Sequence, residues 1–404
     1  MKKKILYVHH GKGLGGAPLS LLYLIEGLDK TKYHPKVLFL HDSDALTLFK
    51  SKNIDLVGPI NRYDFSHTQI WWFRWYHIGP FFRSLRDTIA VIFSRAPYWL
   101  DLIKPDIIHL NTSSLGAWAY AAHKKKIPVV WHVREPLAKG YFGIRKRITI
   151  QCIKKYATAI LPICKDNAQP WHDHEKTQVV YNAVPESLFS PAVCTKKSTK
   201  KFLTTHNLKQ TSPKILFLGG LSQEKGTLEI FKIFQKLLKQ LPDAKLLVAG
   251  YFEQKNRSFL LNYFSPTQVY QKKVMRILAT IKDSTILLGP INNVAQAMAA
   301  SDVIVFPAIV GHFARPIIEA GFMKKPVIAS NLAPLNELVL PGKTGFLIDH
   351  HNLGRWVEQL ILILSNQDLK QTMGQSAFDF CTQHFDIKDQ ITKIESVYES
   401  VILK

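Results

Sequence analysis

The clearest chemical signal in the sequence is a glutamate, Glu319, that follows a strand and a short loop. Val303 to Phe306 is an apolar, β-branched run that ends at Pro307, which predicts a buried parallel strand. Pro316 suits the first turn of a helix, because its missing N–H needs no partner there. The spacing therefore predicts Glu319 in that first turn, beside unpaired backbone N–H groups. This arrangement suits a phosphorylated, hydroxyl-rich ligand.

A glycine-rich loop near the amino terminus is a second candidate ligand site. Residues 4–8 predict a strand, and residues 9–16 form a loop rich in glycine. Pro18 then opens a helix with apolar residues at helical spacing. A strand, a glycine loop and a helix start make a phosphate-type cradle, with Gly15 and Gly16 next to the helix. A tight turn that holds no ligand is the other interpretation of this pattern.

Residues 62–100 interleave aromatic side chains with arginines. One interpretation is a helical hairpin packed on its own domain, with the arginines on the wet face. The other is a membrane-interface surface, because Trp and Tyr favour the headgroup level and Arg attracts anionic lipid. The residues assigned to this acceptor or membrane side are Trp71, Trp72, Arg74, Trp75, Arg83 and Arg86.

Composition narrows the class of protein. The chain has 404 residues, which favours two domains over one. Its net charge of +23 is spread over both halves and suits nucleic acid, anionic lipid or a phosphorylated substrate. No nucleic-acid-binding motif is present, so lipid and substrate are favoured. Four cysteines without metal-ligand spacing predict free thiols in a reducing compartment.

The stretch from Asp302 to Asp349 resembles the nucleotide-sugar site of the retaining glycosyltransferases called group 1 or family 4. That family has Asp-Val-hydrophobic-Pro-Ser, then Glu-Gly-Phe-Gly followed by four more residues and a second Glu, and then Ala-x-Ala-x-Gly-x-Pro-Val-Val-Ala. Pro105–His109 and Tyr181–Val184 resemble further family segments. Matching positions in the main stretch are Asp302, Pro307, Phe313, Glu319, Ala320, Pro326, Val327, Ala329, Glu337, Gly342 and Gly345.

The resemblance implies roles for individual residues. In the family, a Gly-Arg-Leu-x-x-x-Lys-Gly turn binds the donor diphosphate, and Lys225 occupies its lysine position. A solvated surface lysine is the alternative for this residue. Glu319 is implied to accept hydrogen bonds from the donor ribose, and His132 to lie by the reacting carbon of the donor sugar. The implied donor-binding residues are Gly15, Gly16, Gly219, Gly220, Lys225, Asn292, Arg315 and Glu319.

Two positions depart from the family pattern. The first Glu of the pair falls on Gly311, and the Arg of the diphosphate turn falls on Gly220. Arg315, in the loop before Glu319, is a candidate to replace the lost charge. Two interpretations stay open: an enzyme with an adapted donor site, or a non-catalytic partner or scaffold with a degenerate one. An epimerase or phosphorylase of the same architecture is a third.

The implied fold is α/β, with two Rossmann-like domains facing a cleft, the architecture called GT-B. The expected organisation is an acceptor-side domain over 1–186, a linker over 187–212 and a nucleotide-sugar domain over 213–386. A final helix over 387–404 is expected to return to the first domain.

The expected function is metal-independent, retaining transfer of a hexose or related sugar in cell-surface polysaccharide or glycolipid synthesis. The expected donor is a UDP- or GDP-sugar, with no other cofactor. Expected partners are a saccharide or lipid-linked saccharide acceptor and an anionic membrane surface, and no nucleic acid. The apolar run after the first lysines is too short for a signal peptide. No segment is long and apolar enough to span a bilayer. The expected location is cytoplasmic, with peripheral attachment to the inner face of the membrane.

Overall fold

The computed structural model describes residues 2–10, 15–62, 77–137, 139–251, 266–291 and 293–403. The chain forms two compact units. The first contains Met1–Ala183 together with Ile387–Lys404, and the second contains Val184–Asp386. Each unit holds a parallel six-stranded sheet with helices packed against it, which confirms the predicted α/β fold class.

The first unit is built on a sheet of parallel strands. These are β1 Lys3–His9, β2 Tyr33–Phe39, β3 Asp55–Val57, β4 Ile107–Leu110, β5 Val129–Val133 and β6 Ala159–Pro162. Their order across the sheet is β3-β2-β1-β4-β5-β6. Side chains alternate between the two faces, so Ile5 and Tyr7 enter one core and Leu6 and Val8 enter the other. Both faces are covered, which explains the nearly continuous apolar strands.

Helices cover both faces of this sheet. They are α1 Gly16–Gly27, α2 Asp44–Ser51, α3 Ile78–Ala90, α4 Ala96–Ile103, α5 Gly116–Lys124, α6 Ile144–Tyr156 and α7 Lys165–Ala168, with 3₁₀ turns at Tyr141–Gly143 and Gln169–Trp171. A π-helical segment, Val91–Arg95, joins α3 to α4 into one continuous helical run.

This helical run is the described part of the stretch for which a hairpin or a membrane surface was expected. Residues 63–76, which include Trp71, Trp72, Arg74 and Trp75, lie outside the described residues. The described part is a single helical run with a largely apolar exposed side. The large apolar residues on that side are between 40% and 76% exposed: Ile78, Phe82, Leu85, Ile89, Phe93, Tyr98 and Leu102.

The second unit repeats the parallel architecture. Its strands are β7 Lys214–Phe217, β8 Lys245–Ala249, β9 Thr285–Gly289, β10 Val303–Phe306, β11 Val327–Ser330 and β12 Gly345–Ile348. Their order is β12-β11-β10-β7-β8-β9. Its helices are α8 Lys196–Thr205, α9 Thr227–Leu237, α10 Pro266–Ile281, α11 Val294–Ala299, α12 Arg315–Phe322, α13 Leu353–Ser365 and α14 Gln367–Phe385, with 3₁₀ turns at Glu186–Leu188, Pro191–Val193, Lys282–Ser284 and Leu335–Glu337.

Residues 187–212, expected as a linker, belong to the second unit. They contain α8, whose Thr195 cap accepts a hydrogen bond from Ser198 N. Leu203 is buried, and Gln296 of α11 donates to Ser198 O at 2.7 Å. The composition rich in Lys, Ser and Thr suggested a linker, but the segment contains a helix whose apolar side packs on the second unit.

The last helix, α15 Ile387–Ile402, returns to the first unit as expected. Tyr398 OH lies 2.9 Å from Tyr7 OH, and Asp29 N donates to Glu395 Oε1 at 2.8 Å. Gly27 allows close packing here, because a Cβ at that position would lie 2.1 Å from Ile391 Cδ1. Among the described residues, no helix combines the length and the apolar character needed to cross a bilayer.

Candidate functional site

Each sheet has a switch point, where chain connections leave in opposite directions from two neighbouring strands. It falls between β1 and β4 in the first unit and between β7 and β10 in the second. In open parallel sheets, ligands bind outside the carboxyl ends of the strands at this point. The sequence-predicted residues Gly15, Gly16 and His132 lie at the first of these edges, and Lys225, Arg315 and Glu319 lie at the second.

In the second unit, two loops at the switch point are joined by backbone contacts. The turn after β7 carries Lys225, and the loop after β10 leads to α12. Ile309 N and Val310 N both donate to Glu224 O, at 3.0 and 3.3 Å. Gly226 has φ of +80°, and a Cβ there would lie 1.8 Å from Pro307 O, so only glycine permits this approach. The geometry brings the two predicted donor-site segments together.

Lys225 lies directly before the amino end of α9 and is exposed. Its backbone N–H donates to Ser222 Oγ at 3.3 Å. His312, from the loop after β10, is close enough for the charge of Lys225 to lower its pKa, although burial is the larger cause. An exposed ammonium beside a helix amino terminus can bind a phosphate group.

Glu319 is not where the sequence placed it within its helix. The helix α12 begins at Arg315, with Pro316 in its first turn, so Glu319 is its fifth residue and lies in the second turn. Its carboxylate is buried and accepts from Arg315 Nε at 2.7 Å. Burial raises the pKa of Glu319, and the neighbouring Arg315 charge opposes that shift. Arg315 is thus ion-paired with Glu319, which limits it as a replacement for a lost arginine.

At both positions that depart from the family pattern, neighbouring backbone atoms leave no room for a side chain. A Cβ at Gly311 would lie 1.9 Å from Ala333 O. A Cβ at Gly220, which has φ of +57°, would lie 2.8 Å from both Tyr251 N and Tyr251 O. Neither position accepts a Glu or Arg side chain unless the backbone moves.

A buried polar network occupies the switch point of the first unit. Arg134, two residues after His132, donates from Nε to Asn111 Oδ1 at 2.7 Å and from Nη1 to Asn182 Oδ1. Its Nη2 lies 3.4 Å from His132 Nδ1. Asn111 Nδ2 in turn lies 3.1 Å from His9 Nδ1. All five side chains are buried.

Arg134 fixes the protonation of this network, because a guanidinium can only donate. His132 Nδ1 must therefore accept, which puts the proton of the neutral ring on Nε2. Asn111 Oδ1 faces Arg134, so its amide N–H₂ donates to His9 Nδ1, and His9 also carries its proton on Nε2. Neither Nε2 has a hydrogen-bond partner among the described residues.

The direction of hydrogen-bond donation can be followed from His132 to Tyr398 on the last helix. His109 Nε2 lies 3.3 Å from His132 Nδ1 and must donate to it. His109 Nδ1 then accepts from Tyr398 OH at 2.7 Å, and Tyr398 accepts from Tyr7 OH. Burial lowers the pKa values of His109 and His132 well below the ordinary histidine value, and the Arg134 charge adds to this shift. The result is a chain of neutral rings with one direction of donation.

The sequence pointed to His132 and missed the residues that orient it. Arg134 was visible two positions after His132 at the same strand end, and Asn111 at the end of β4. Tyr398 gave no local signal, because it lies on a helix far away in sequence. His132 lines a cavity of about 20 Å³ with Arg134 and Asn182, which is room for one water molecule.

The remaining candidate residues are scattered. Gly15 and Gly16 lie at the start of α1, and no atom of the described residues comes within 4 Å of a Cβ at either position. Arg86 pairs with buried Asp87 at 2.8 Å, and Arg83 is exposed on α3. Asn292 lies outside the described residues. Three further side chains after edge strand β12 have ligand atoms within 4.8 Å of one another and could hold a metal ion: Asp349, His350 and His351.

Similar solved structures share this fold. A crystal structure of Anabaena Alr3699/HepE in complex with UDP superposes with a TM-score of 0.77 at 19% identity, over 99% of this chain and 100% of that one. A glycosyltransferase from Rickettsia africae gives a TM-score of 0.75 at 18% identity, over 99% of each chain. These likenesses show the two-domain GT-B fold.

Sequence comparison adds a curated relative and two family models. An Escherichia coli UDP-Gal:alpha-D-GlcNAc-diphosphoundecaprenol alpha-1,3-galactosyltransferase is 25% identical over 316 residues, covering 74% of this chain and 76% of that protein. The model of glycosyltransferase family 4 matches residues 14–188, and that of glycosyl transferases group 1 matches residues 198–380. The two models together match both units, and the chain belongs to the group 1, family 4 glycosyltransferases.

Proposed function

We propose that this chain transfers a sugar from a nucleotide-sugar donor to an acceptor, with retention at the anomeric carbon. The observation that carries the proposal is the junction of two loops at the switch point of the second unit. The loop that leads to the Arg315–Glu319 pair donates two backbone hydrogen bonds to Glu224 O, directly beside Lys225. One cation and one carboxylate are thereby held at the edge of one sheet, where nucleotides bind in such folds.

The proposed reaction breaks the bond between the anomeric carbon and the donor diphosphate. The acceptor oxygen forms its bond to that carbon on the same face, and its proton passes to the departing diphosphate. Negative charge builds on the diphosphate, where Lys225 and the first N–H groups of α9 stabilise it. Glu319, oriented by Arg315, accepts hydrogen bonds from the ribose. In the first unit, His132 can donate its Nε2–H, directly or through one water, to a sugar hydroxyl.

The comparisons support particular substrates. Solved structures similar to this one contain UDP and UDP-glucose, which favours a UDP-sugar over a GDP-sugar. The name of the Escherichia coli relative includes a UDP-sugar and a saccharide linked to a lipid diphosphate. We therefore assign this chain a UDP-sugar donor and a lipid-linked saccharide acceptor, in cell-surface polysaccharide or glycolipid synthesis.

Nucleotide binding tests the assignment. A thermal-shift panel of UDP, GDP and ADP should show the largest stabilisation with UDP, because a ligand of the native state raises stability with its saturation. Lys225→Ala should weaken UDP by about 1.5–3 kcal/mol, the worth of a charge-assisted hydrogen bond, and should hardly affect uridine. Lys236→Ala, an exposed lysine at the other end of α9, is the matched control. Equal losses for UDP and uridine would contradict the role of Lys225.

A non-catalytic relative is the second candidate, because Gly220 and Gly311 leave no room for the family's Arg and first Glu. Such a protein would bind nucleotide without turning it over. Assaying donor hydrolysis as well as transfer against a panel of nucleotide sugars separates the two. Release of UDP with any donor supports the enzyme, and silence throughout with intact UDP binding supports the scaffold.

A further inference from the structure

The first unit contains an apolar groove between helices that no part of the proposed donor chemistry uses. It has a volume of about 430 Å³, within the roughly 300–1,000 Å³ of ligand sites. Its walls come from α3 and the π segment on one side and from α5 and α6 on the other. Its lining residues include Leu85, Thr88, Ile92, Ala117, Ile148 and Thr149. We call it the helix groove.

The groove exists because α3 does not fill the space over α5. The buried residues of α3 are polar, Ser84 and Asp87, and Asp87 is held by Arg62 and Arg86. The π segment follows at once, and such insertions often mark functional sites. On the opposite wall, α5 presents the small residues Gly116 and Ala117 next to Trp118 and Tyr120.

One end of the groove reaches the carboxyl end of β4. Ser113 and Ser114 line it there. Glu135 fixes this end, because its Oε1 accepts from Ser113 N at 3.1 Å and from Ser113 Oγ at 2.9 Å. Ser113 is two residues from Asn111, which belongs to the Arg134 network. A ligand in the groove would thus present its end at the same sheet edge as His132.

The charge around the groove is positive. Arg145 lines it, and Lys146 and Arg147 follow in the first turn of α6, which has no acidic residue. Cations in the first turn of a helix are unfavourable with the helix dipole, and a bound anion would offset that cost. The exposed apolar rim includes Leu85 and Ile148.

We propose that the helix groove binds the hydrocarbon chain of a lipid phosphate, with the phosphate held by the basic first turn of α6. This names the anchor of the acceptor and rests on the proposed function. A walled groove of this volume fits a single long chain, whereas a bilayer surface requires only exposed apolar side chains such as Phe93. The groove therefore selects acceptors by their lipid chain, and the sheet edge receives the saccharide end.

Calorimetry with farnesyl phosphate tests the proposal, with ethyl phosphate as the probe that lacks the chain. Wild type should bind farnesyl phosphate and show little binding of ethyl phosphate. Thr149→Trp fills the groove from α6 and should weaken farnesyl phosphate by about tenfold or more, because several methylene groups lose their contacts. Ala117→Leu, from the opposite wall, should act in the same direction if Thr149→Trp folds poorly.

Phe93→Ser is the matched control, because Phe93 is 76% exposed on the same helical run and does not line the groove. It should leave farnesyl phosphate binding within about twofold of wild type, as surface substitutions do. Equal affinity for both probes, or wild-type affinity in the groove variants, overturns the proposal. So does a loss of farnesyl phosphate binding in Phe93→Ser as large as that in the groove variants, which would identify the exposed surface as the site instead.

The UDP thermal shift, measured on the same samples, keeps the two proposals separate. Groove variants that retain the UDP shift and lose farnesyl phosphate support the groove. A protein that binds farnesyl phosphate in the groove and no nucleotide would overturn the proposed function alone.

Discussion

The two switch points use opposite chemistry on the same topology. In the first unit, β1 and β4 end in a closed network of three neutral histidines, two asparagines and one arginine, all buried. In the second, β7 and β10 end in glycine-lined loops that leave Lys225 exposed and bury one ion pair. The first edge therefore offers oriented neutral N–H groups, and the second offers charge. Sugar hydroxyls suit the former and a diphosphate suits the latter.

The difference also predicts where substitutions damage folding. Every member of the first network has a partner that is buried too, so a loss there leaves unsatisfied polar atoms. At the switch point of the second unit, the buried Glu319 has such a partner in Arg315, whereas the exposed Lys225 side chain is not held in this way. Variants at the two edges should therefore separate into those that unfold a unit and those that only lose ligand.

The largest expected effect is at Glu319. Glu319→Ala breaks an ion pair whose carboxylate is buried, which should cost about 3–5 kcal/mol of stability. Urea unfolding of wild type and variant measures this loss. Adding Arg315→Met to Glu319→Ala removes the other charge of the pair and should restore most of the stability without restoring UDP binding. A double variant as unstable as the single one would show that the ion pair is not the cause.

Arg134 should come next. Arg134→Met leaves the Oδ1 atoms of Asn111 and Asn182 without this donor, and each buried unsatisfied group costs about 1–3 kcal/mol, so we expect a loss of about 3 kcal/mol. His132 Nδ1 keeps its contact with His109 Nε2, but Arg134 no longer fixes the direction of donation, so the His132 proton can move to Nδ1, which nitrogen-15 NMR of the histidines detects. If the His132 ring still shows only the Nε2–H tautomer in the variant, another group sets it.

The pH dependence of stability should identify the first network. Burial lowers the folded-state pKa of His9, His109 and His132, so below the unfolded value of about 6.5 the unfolded chain binds more protons. Stability is therefore complete above that pH and falls as the pH drops, by up to about 1.4 kcal/mol per pH unit for each histidine.

Urea unfolding between about pH 7.5 and about pH 5.5 measures this slope. His109→Gln should reduce it, and His172→Gln, an exposed histidine of the same unit, should leave it unchanged. A slope that is the same in all three proteins would place the titrating groups outside the network.

Much of this comparison was within reach of the sequence. Apolar strand patterns and Pro316 near a helix start predicted the fold correctly in outline, because each depends on local spacing. The assignment of Lys225 to a diphosphate site stays a prediction. Glu319 was predicted in the first turn but is the fifth residue of its helix, because the helix begins at Arg315, one residue before Pro316. The prediction that Arg315 replaces a lost charge could not foresee its ion pair with Glu319.

The buried polar network at the switch point of the first unit could mostly not be predicted from the sequence. Its members come from β1, β4, β5 and α15, and only the sheet order brings them together. The helix groove was equally hidden, because it arises from a π segment and from small residues on α5. Long-range packing decides both, and no local pattern encodes it.

The smallest expected effect on stability is at Gly16. A substitution there tests whether the switch point of the first unit contacts ligand. Gly16 is the first residue of α1, and a Cβ there would meet no atom of the described residues within 4 Å. Gly16→Ala should keep or raise stability by up to about 1 kcal/mol, because alanine favours the helix. Gly27→Ala, at the other end of α1, serves as the contrast: its Cβ would press on Ile391 of α15, so this variant should lose stability. Lower turnover with unchanged melting temperature in Gly16→Ala would mean that substrate approaches this helix start. Unchanged turnover would restrict the first switch point to orienting His132 and would remove Gly15 and Gly16 from the site.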